Sequence, residues 1–328
     1  MLKFSQGGII LTINPTVFTL GDALVTFNPS ETGPLRYVQS FAKKAGGAEL
    51  NFAIGCARLG LQSKWMSRLG NDEFGKGIYK FARGEGIDVS EVQFVDGYPT
   101  SLNFKEIRED GSGKTFYYRH QSPVLTIEPE HITDELLNGV SIVHLTGVFL
   151  AIAPKNLQIV LAVLKKAREK NIKISFDPNI RLKLWTIEEA RKAYERILPY
   201  VDILLAGLDE MELIQHDVSK PALEAFAKQY GIEQLVIKDG ANGAKLYSEN
   251  VWHEKEAFKI TPIDTVGAGD GFDAGYIYAT LHNYSPIESL TFANAVGALV
   301  TTVKGDNEGL PELQEVLDFM NNIKTIER

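Results

Sequence analysis

The sequence has one cysteine, few histidines and no excess of basic charge. Cys56 has no partner for an internal disulfide, which fits a reducing compartment, and within NFAIGCARLG (51–60) we interpret it as a buried core thiol. None of the six histidines follows another at HxxxH spacing, which argues against a histidine metal site. The formal net charge is −8 and the basic residues are scattered, so we do not expect nucleic acid as a partner.

Long apolar runs are missing as well. No stretch approaches the length of a membrane span, so we expect no membrane partner. Residues 1–21 hold one lysine and an apolar run cut by Asn14 and Pro15, which is unlike a signal peptide. There is no repeat and no low-complexity linker. We expect a cytoplasmic protein whose 328 residues form a single large α/β domain.

Apolar segments of strand length alternate with amphipathic segments of helix length. This alternation is typical of a three-layer α/β/α fold, in which helices cover both faces of a mainly parallel central sheet. The predicted strands are 17–27, 141–147, 172–179, 201–207 and 234–240, and the predicted helices include 48–60, 157–171 and 209–215.

Residues 100–121, TSLNFKEIREDGSGKTFYYRHQ, break this rhythm. Polar and aromatic residues alternate with period two around a glycine-rich turn, which predicts a β-hairpin and a candidate lid over a site. GSGKT (111–115) is similar to the end of the P-loop pattern GxxxxGK[ST], but Arg108 stands where the first glycine belongs. The following FYYRH indicates a strand, so we interpret GSGKT as a hairpin turn and Lys114 as solvated.

The stretch DTVGAGDGFDAG (264–275) combines glycines with carboxylates where a helix begins. Gly267, Ala268 and Gly269 can form an anion hole, because glycine lets the backbone approach a phosphate and a helix N-terminus attracts anions. Asp270 then fits a general base that takes the proton of a hydroxyl attacking that phosphate. A glycine-rich turn with Asp270 as a helix cap explains the same composition equally well.

The full string closely resembles the C-terminal motif of the ribokinase-like (PfkB) family of sugar kinases. AGGAELNFAIGCARLG (45–60) resembles the family's N-terminal motif, and only about the first seventeen residues fall outside the resemblance. It implies a ribokinase-like fold with a β-lid built largely from about 28–44 and 98–122. It also implies ATP and Mg²⁺, and a homodimer or higher homo-oligomer that pairs through the lid. Further matching segments are SRLGNDEFGKGI (67–78), FDPNIR (176–181), VIKDGANGA (236–244) and ANAVGALVTTVKGDNEGLP (293–311).

Within the family, the chain is most similar to the 2-keto-3-deoxygluconate kinases. This implies ATP-dependent phosphorylation of that sugar acid at its 6-hydroxyl. The alternatives are a kinase of fructose, ribose or 5-keto-2-deoxygluconate, an inactive sugar-binding protein, and a dinucleotide-dependent oxidoreductase. Intact Asp270 argues against the inactive protein, and the lack of GxGxxG after the first strand argues against the oxidoreductase. The segments are FKEIRED (104–110), FYYRHQSP (116–123), HLTGVFLAI (144–152), FDPNIRLKLW (176–185) and DTVGAGDGF (264–272).

The resemblance implies a substrate site built around two arginines. Arg119 and Arg181 match positions that contact the acid, and a guanidinium binds a carboxylate through two parallel hydrogen bonds. Tyr117 shares a strand face with Arg119, whereas Tyr118 points the other way and Arg108 is expected at the surface. The other implied substrate contacts are Asp22, Gly46, Gly47, Asn51 and Asp270, with Asn103 at a position where the family often has tyrosine.

The resemblance also implies a nucleotide site. Glu210 in GLDE (207–210) keeps the acid of the family's Asn-x-x-Glu motif, with Gly207 in place of the asparagine, and is expected to contact Mg²⁺ only through water. The resemblance implies that Asp264 orders its loop or a monovalent cation; the alternative is a structural cap, which we favour. The alternative role of Gly240 and Gly243 is to form a turn that connects two strands. The alternative for Asn294 is a position on the surface of a helix. The implied ATP contacts are Lys238, Gly240, Gly243, Gly267, Gly269 and Asn294.

Overall fold

The computed structural model describes residues 14–109 and 112–322, and two short strands before them. The strands are β1 (Phe4–Ser5), β2 (Gly8–Ile9), β3 (Thr16–Leu20), β4 (Leu24–Pro29), β5 (Phe41–Gly46), β6 (Gln62–Gly70), β7 (Val92–Val95), β8 (Ser101–Ile107), β9 (Gly113–Tyr118), β10 (Val140–Thr146), β11 (Lys173–Asp177), β12 (Ile203–Gly207), β13 (Gln234–Lys238), β14 (Ala244–Ser248) and β15 (Val251–Lys255). The α-helices are α1 (Ala48–Arg58), α2 (Glu73–Gly84), α3 (Gly147–Ile152), α4 (Asn156–Glu169), α5 (Ile187–Ile197), α6 (Leu208–Gln215), α7 (Lys220–Tyr230), α8 (Ala268–Leu281), α9 (Pro286–Val300) and α10 (Leu313–Met320). Among these described residues, no helix is both long and apolar enough to cross a membrane.

Nine strands form the central sheet, in the order β15-β14-β13-β12-β11-β10-β3-β6-β7. Every pairing from β13 to β7 is parallel, and β14 and β15 add an antiparallel edge. Parallel sheets are buried on both faces, which explains the continuous apolar runs of these strands. The predicted three-layer, mainly parallel α/β architecture is confirmed.

Alternate residues of each strand contribute to two different cores. Phe18 and Val143 join a core with residues of α4, α5 and α7, whereas Val17 and Ile142 join one with residues of α1, α8 and α9. This division follows from the period of two in a strand. Helices therefore cover both faces of the sheet.

The prediction of one strand over 17–27 is wrong. The chain leaves the central sheet after Leu20, passes through Gly21, Asp22 and Ala23, and enters β4 in a second, smaller sheet. Gly21 is needed at this exit, because a Cβ there would lie 2.2 Å from Cδ of the buried Glu49. The break places Asp22 between the two sheets.

The small sheet has the order β5-β4-β8-β9. The predicted hairpin is present: β8 and β9 pair antiparallel, with Leu102 opposite Tyr118 and Ile107 opposite Gly113. Residues 110 and 111 lie outside the described residues, so the tip of the predicted turn is not described. Lys114 is exposed within β9, and the strand that contains it leaves no place for the helix of a P-loop.

The two glycine-containing motifs meet because α1 and α8 pack closely together. A Cβ on Gly55 would lie 2.8 Å from Cβ of Ala274, so glycine at this position lets the two helices approach. On its other side α8 approaches α9, where Gly275 faces Val296. The N-terminal turns of α1 and α8 thereby come together below the small sheet.

Candidate active site

A cavity of about 1440 Å³ lies between the small sheet, the ends of β11 and β13, and the N-terminal turns of α1 and α8. Gly46 and Asp264, two of the predicted site residues, do not line it, although Gly46 lies against Asp306, which does. The cavity brings together the other predicted residues: Asp22, Gly47, Asn51, Asn103, Tyr117, Arg119, Arg181, Glu210, Lys238, Gly240, Gly243, Gly267, Ala268, Gly269, Asp270 and Asn294.

Asp270 lies buried in the first turn of α8 at the centre of this cavity. Asn51 Nδ2 donates to its Oδ2 at 2.8 Å, and Asn179 Nδ2 donates to its Oδ1 at 3.4 Å. Burial raises the pKa of Asp270 to about 7, with a further rise from the charge of Asp177, while the Asn51 hydrogen bond and the Arg181 charge oppose the shift. A carboxyl group with a pKa near neutrality is suited to take up a proton during a reaction.

The turn before Asp270 has the backbone that the glycine pattern predicts. Gly267 has φ +79°, and a Cβ there would lie 2.0 Å from the carbonyl oxygen of Asp306. A Cβ on Gly269 would meet only Lys238 Nζ within 4 Å, at 3.9 Å, so space is open above this residue. The Ala268 N–H makes a long hydrogen bond to the Thr265 carbonyl, at 3.3 Å. The helix N-terminus therefore faces open space beside an ammonium group.

The part of the cavity next to the small sheet contains buried polar atoms without partners among the described residues. Arg119 Nη2 and Ser101 Oγ both donate to Asp22 Oδ2, at 2.8 and 2.9 Å. Asp22 Oδ1, Arg119 Nε and Asn103 Oδ1 have no hydrogen-bond partner among the described residues. Buried polar atoms are normally paired, so this set of two acceptors and one donor indicates a polar ligand.

Two further predicted residues complete this wall of the cavity. The Arg119 guanidinium lies 5.9 Å from the ring centroid of Tyr117, and Tyr117 is paired across the strands with Asn103. Tyr118 points to the opposite face of the small sheet and packs edge-on against Phe104. Arg181 is exposed at the cavity, and its charge lowers the pKa of Asp270.

Sequence reasoning missed the contribution of residues 306 and 307. Lys105 Nζ lies 2.7 Å from Asp306 Oδ1, which ties the small sheet to the loop after α9. Asn307 Nδ2 donates to Asn51 Oδ1 at 3.2 Å and to the Ala45 carbonyl at 2.9 Å. The only signal was a pair of polar residues between glycines in GDNEG, which alone indicates a turn.

The part of the cavity near β13, β14 and β15 is built from turns. Asn294 Nδ2 donates to the carbonyls of Lys255 and Glu256, at 3.2 and 3.3 Å, and fixes the segment after β15. Gly243 has φ +99°, and a Cβ there would lie 2.1 Å from the Lys255 carbonyl oxygen. Lys238 Nζ forms ion pairs with Asp177 and Asp273. Asn294 and Gly243 therefore shape the wall on which a nucleotide would lie.

Glu210 and Asp264, the two residues predicted to contact a cation, both accept hydrogen bonds from backbone amides. Glu210 accepts from the amides of Ile180 and Gly207, at 2.7 and 2.8 Å, and burial raises its pKa. Asp264 accepts from the amides of Val266 and Gly305, at 3.1 and 3.2 Å, as a loop-ordering residue would. In the described part of the chain, no group of three or more His, Cys, Asp or Glu side chains could hold a metal ion.

Known sequences match this chain over nearly its full length. The family described as pfkB family carbohydrate kinase matches residues 14–313. A 2-dehydro-3-deoxygluconokinase of Thermoproteus tenax is 33% identical over 97% of this chain and 98% of its own length. Its counterpart in Bacillus subtilis is 31% identical over 94% and 96%. Probable fructokinase-2 of Arabidopsis thaliana is also 31% identical, over 93% and 95%.

Solved structures share the fold. A PfkB protein from Polaromonas sp. JS666 has a TM-score of 0.85 and 32% identity, over 92% of this chain and 99% of its own. The 2-dehydro-3-deoxygluconokinase of Thermotoga maritima has a TM-score of 0.86 and 25% identity, over 94% and 98%. An Escherichia coli protein described as a ribokinase II, in complex with ATP and Mg²⁺, has a TM-score of 0.86 and 25% identity, over 94% and 99%.

These matches agree with the ribokinase-like fold and with the way both glycine motifs converge on Asp270. The matching relatives are named for two different sugars. The matches therefore establish the kind of reaction but not which sugar is phosphorylated. The chain belongs to the PfkB family of carbohydrate kinases, which are phosphotransferases with an alcohol group as acceptor.

Proposed function

We propose that this kinase phosphorylates 2-keto-3-deoxygluconate at its 6-hydroxyl, with ATP as the phosphoryl donor and Mg²⁺ as the metal. The relatives that support this substrate are the kinases of Thermoproteus tenax and Bacillus subtilis, whose names refer to the same sugar acid. The Escherichia coli complex supports ATP and Mg²⁺. The observation that carries the substrate is the buried Nε of Arg119, a charged donor at the cavity that has no acceptor in the described part of the chain.

A sugar acid supplies the acceptor that Arg119 lacks. Asp22 occupies Nη2 of the guanidinium, so a substrate carboxylate would accept from the remaining N–H groups on the cavity side. Arg181 is a second cation for this carboxylate, because among the described residues it has no carboxylate within ion-pair distance. Asp22 Oδ1 and Asn103 Oδ1 would accept from the sugar hydroxyls.

The reaction would proceed by in-line displacement. The 6-hydroxyl oxygen attacks the γ-phosphorus, the bond from that phosphorus to the β-phosphate oxygen breaks, and ADP leaves. Asp270 takes the hydroxyl proton, while the N-terminal turn of α8 stabilises charge on the transferred group. The small sheet would act as a lid that excludes water and so limits wasteful ATP hydrolysis.

The residues present fit an indirect magnesium contact. Each oxygen of Glu210 accepts one backbone amide and keeps a second lone pair for a water molecule. Mg²⁺ retains several waters when it binds nucleotide phosphates, so Glu210 would hold one of these waters. The ion would neutralise charge on the phosphates. Asp264 is already engaged with two amides, and we assign it to loop ordering.

Fructose is the second candidate substrate. The fructokinase relative in Arabidopsis thaliana supports it, and the unpartnered Asp22 Oδ1 suits a neutral sugar hydroxyl as well as an acid. A neutral sugar would leave the charged Arg119 Nε without an anionic partner. The acid is therefore the better match to the cavity.

The test is a substrate panel with two arginine variants. Initial rates with 2-keto-3-deoxygluconate, fructose, ribose and 5-keto-2-deoxygluconate would be compared for the native chain, Arg119→Lys and Arg181→Lys. Lysine at 119 keeps a charge for Asp22 but loses the planar fork, so kcat/KM for the acid should fall by about 10- to 100-fold. The rate with fructose should change less.

Arg108→Lys is the matched control, because Arg108 is exposed in the same hairpin and does not line the cavity. It should leave all rates unchanged. A native preference for fructose, with equal losses for both sugars in Arg119→Lys, would contradict the proposed acid substrate. The kinase chemistry would then remain with another sugar.

A further inference from the structure

Two carboxyl groups and one ammonium group form a buried cluster behind the first turn of α8. Lys238, at the end of β13, has its Nζ 3.2 Å from Asp177 Oδ2 at the end of β11. The same Nζ lies 3.0 and 3.3 Å from the two carboxyl oxygens of Asp273, one turn after Asp270. The side chains of Asp177 and Asp273 are only 3% and 1% exposed. The proposed mechanism gives neither aspartate a role.

Both carboxyl groups converge on the same ammonium nitrogen, and both are almost completely buried. Burial disfavours the charged form of a carboxyl group, so two buried carboxyl groups that share one counter-ion favour a state in which only one is ionised. Burial raises the pKa of Asp273 well above its usual value, against the charge of Lys238. Burial also opposes ionisation of Asp177, but the charge of Lys238 lowers its pKa overall. These opposite directions favour Asp273 as the carboxyl group that carries the proton.

The groups that face the cluster from neighbouring elements supply no second cation. His144, from β10, is neutral because burial lowers its pKa to about 3. Burial raises the pKa of the Cys56 thiol on α1, so that group is neutral as well. Glu210, from α6, and Asp270, from α8, add carboxyl groups and no positive charge. The charge of Arg181 acts on Asp270.

The cluster is connected to the reacting groups at two points. Lys238 Nζ is the one atom that a Cβ on Gly269 would approach within 4 Å, so the ammonium borders the open space above the anion hole. Asp177 Oδ1 accepts from the backbone N–H of Asn179 at 3.0 Å. The side-chain Nδ2 of Asn179 donates to Asp270 Oδ1 at 3.4 Å. The cluster thus reaches both the phosphoryl position and the base.

We infer that Lys238 is a catalytic residue that contacts the transferred phosphoryl group, and that Asp177 and Asp273 are positioning residues that share one proton and hold the ammonium in place. This inference rests on the proposed phosphoryl transfer. The shared proton stays in the pair throughout: the hydroxyl proton goes to Asp270, and the electron pair of the broken P–O bond leaves with ADP. The pair carries one negative charge, which balances Lys238 and leaves the cluster neutral.

The kinetic test compares Asp177→Asn, Asp273→Asn and the double variant, with whichever sugar the native enzyme turns over. Each single variant leaves one carboxylate for Lys238, so its kcat should fall by less than that of the double variant, and the acid limb of its pH–rate profile should move by less than about half a pH unit. The double variant leaves Lys238 uncompensated beside Asp270. Its acid limb should shift by about one pH unit to lower pH and its kcat should fall by more than about tenfold.

Lys238→Met removes the ammonium itself. Its kcat should fall by about 10²- to 10³-fold with little change in KM for the sugar, as for other donors that act on transition-state charge. A normal kcat, accompanied only by a lower melting temperature, would overturn the catalytic role. Effects of the two single Asn variants that add up to the effect of the double variant would overturn the shared proton.

Infrared spectroscopy tests the shared proton without any sugar, and so separates this inference from the choice of substrate. At pH 9 the native chain should show the C=O stretching band of a buried protonated carboxyl group. Each single Asn variant should lose that band, because its remaining carboxylate is ionised beside Lys238. The absence of the band from the native chain would overturn the inference even if the variants failed to fold.

Discussion

Asp270 combines burial with two amide donors, and this combination explains how one carboxyl group can be held still and remain basic. Asn51 and Asn179 come from different elements and approach opposite oxygens of the carboxylate. Their hydrogen bonds favour the charged form, while burial favours the neutral one and prevails. The proposed base is therefore oriented by its neighbours, and its pKa lies near neutral pH.

The first prediction concerns Asp270→Asn. The variant should fold and bind the sugar, because the amide is isosteric and still accepts from Asn51, but kcat should fall by about 10²- to 10⁴-fold through loss of the base. Steady-state kinetics would measure the loss, and sugar-dependent thermal stabilisation would show that binding persists. Turnover close to that of the native enzyme would exclude Asp270 as the base.

The second prediction follows from the raised pKa of Asp270. The folded state favours the protonated carboxyl group, so its contribution to stability is complete below the unfolded pKa of 3.8 and is lost as pH rises to about 7. The full loss is on the order of 4 kcal/mol. Relative to the native chain, Asp270→Asn should therefore be more stable at pH 8 than at pH 5. Urea unfolding at both pH values would measure this, and an equal difference at the two would contradict it.

At the scale of elements, the N-terminal turn of α8 contains two glycines, and the lack of a side chain matters at each of them for a different reason. Gly267 lacks room for a Cβ and has a left-handed φ, so it is required for folding. Gly269 has room for a Cβ and an ordinary helical position, so the open space above it is available to a ligand. The glycine at 267 shapes the backbone, and the glycine at 269 keeps clear the space where we propose that the phosphoryl group lies.

The third prediction compares alanine at these two positions. Gly267→Ala should lower the free energy of unfolding by more than about 1 kcal/mol, because the Cβ meets the Asp306 carbonyl at 2.0 Å. Gly269→Ala should keep or raise stability, since alanine favours helix by about 1 kcal/mol, yet lose activity because its methyl group enters the phosphoryl space. Unfolding curves and kcat for both variants would test this, and a fully active Gly269→Ala would refute the assignment.

Most elements could be predicted from the sequence because their apolar periods are long and clear. The exception is 17–27, where one apolar run serves two sheets and its period does not show which sheet each half joins. The glycine turn at the start of α8 was predictable because its residues are adjacent in the chain. Asp273 is only three residues beyond Asp270, but its partners Asp177 and Lys238 come from distant strands, so nothing local indicated the pairing. Asp306 and Asn307 escaped notice for the same reason.

At the scale of the whole molecule, the small sheet has two different faces. One face lines the cavity through Asn103, Tyr117 and Arg119. The other carries aromatic side chains, with Phe116 39% and Tyr118 57% exposed. Exposed aromatic residues clustered on one face are typical of an interaction surface. The members of this outer face are Phe27, Phe41, Phe104, Phe116 and Tyr118.

The fourth prediction is a homodimer that forms through this outer face. The double variant Phe116→Glu, Tyr118→Glu should shift the protein to monomers, because two buried charges facing their symmetry copies would repel one another. Light scattering after gel filtration would measure the mass. Val251→Glu is the control, since Val251 is 51% exposed on β15 at the far edge of the central sheet. A native chain that is monomeric at micromolar concentration would contradict the prediction.

The hydrogen bond between Asn307 and Asn51 also has a consequence for synthesis of the chain. Asn51, which orients the proposed base, is synthesised early, and Asp270 itself is synthesised late. Asn307, which donates to Asn51, follows thirty-seven positions after Asp270. We therefore expect no nascent chain that ends before residue 307 to phosphorylate a sugar, however much of its central sheet has formed. A chain that ends between residues 300 and 306 would contain every strand of the central sheet and the helices α1 to α9, but it would lack the hydrogen bonds that Asn307 makes to Asn51 and Ala45.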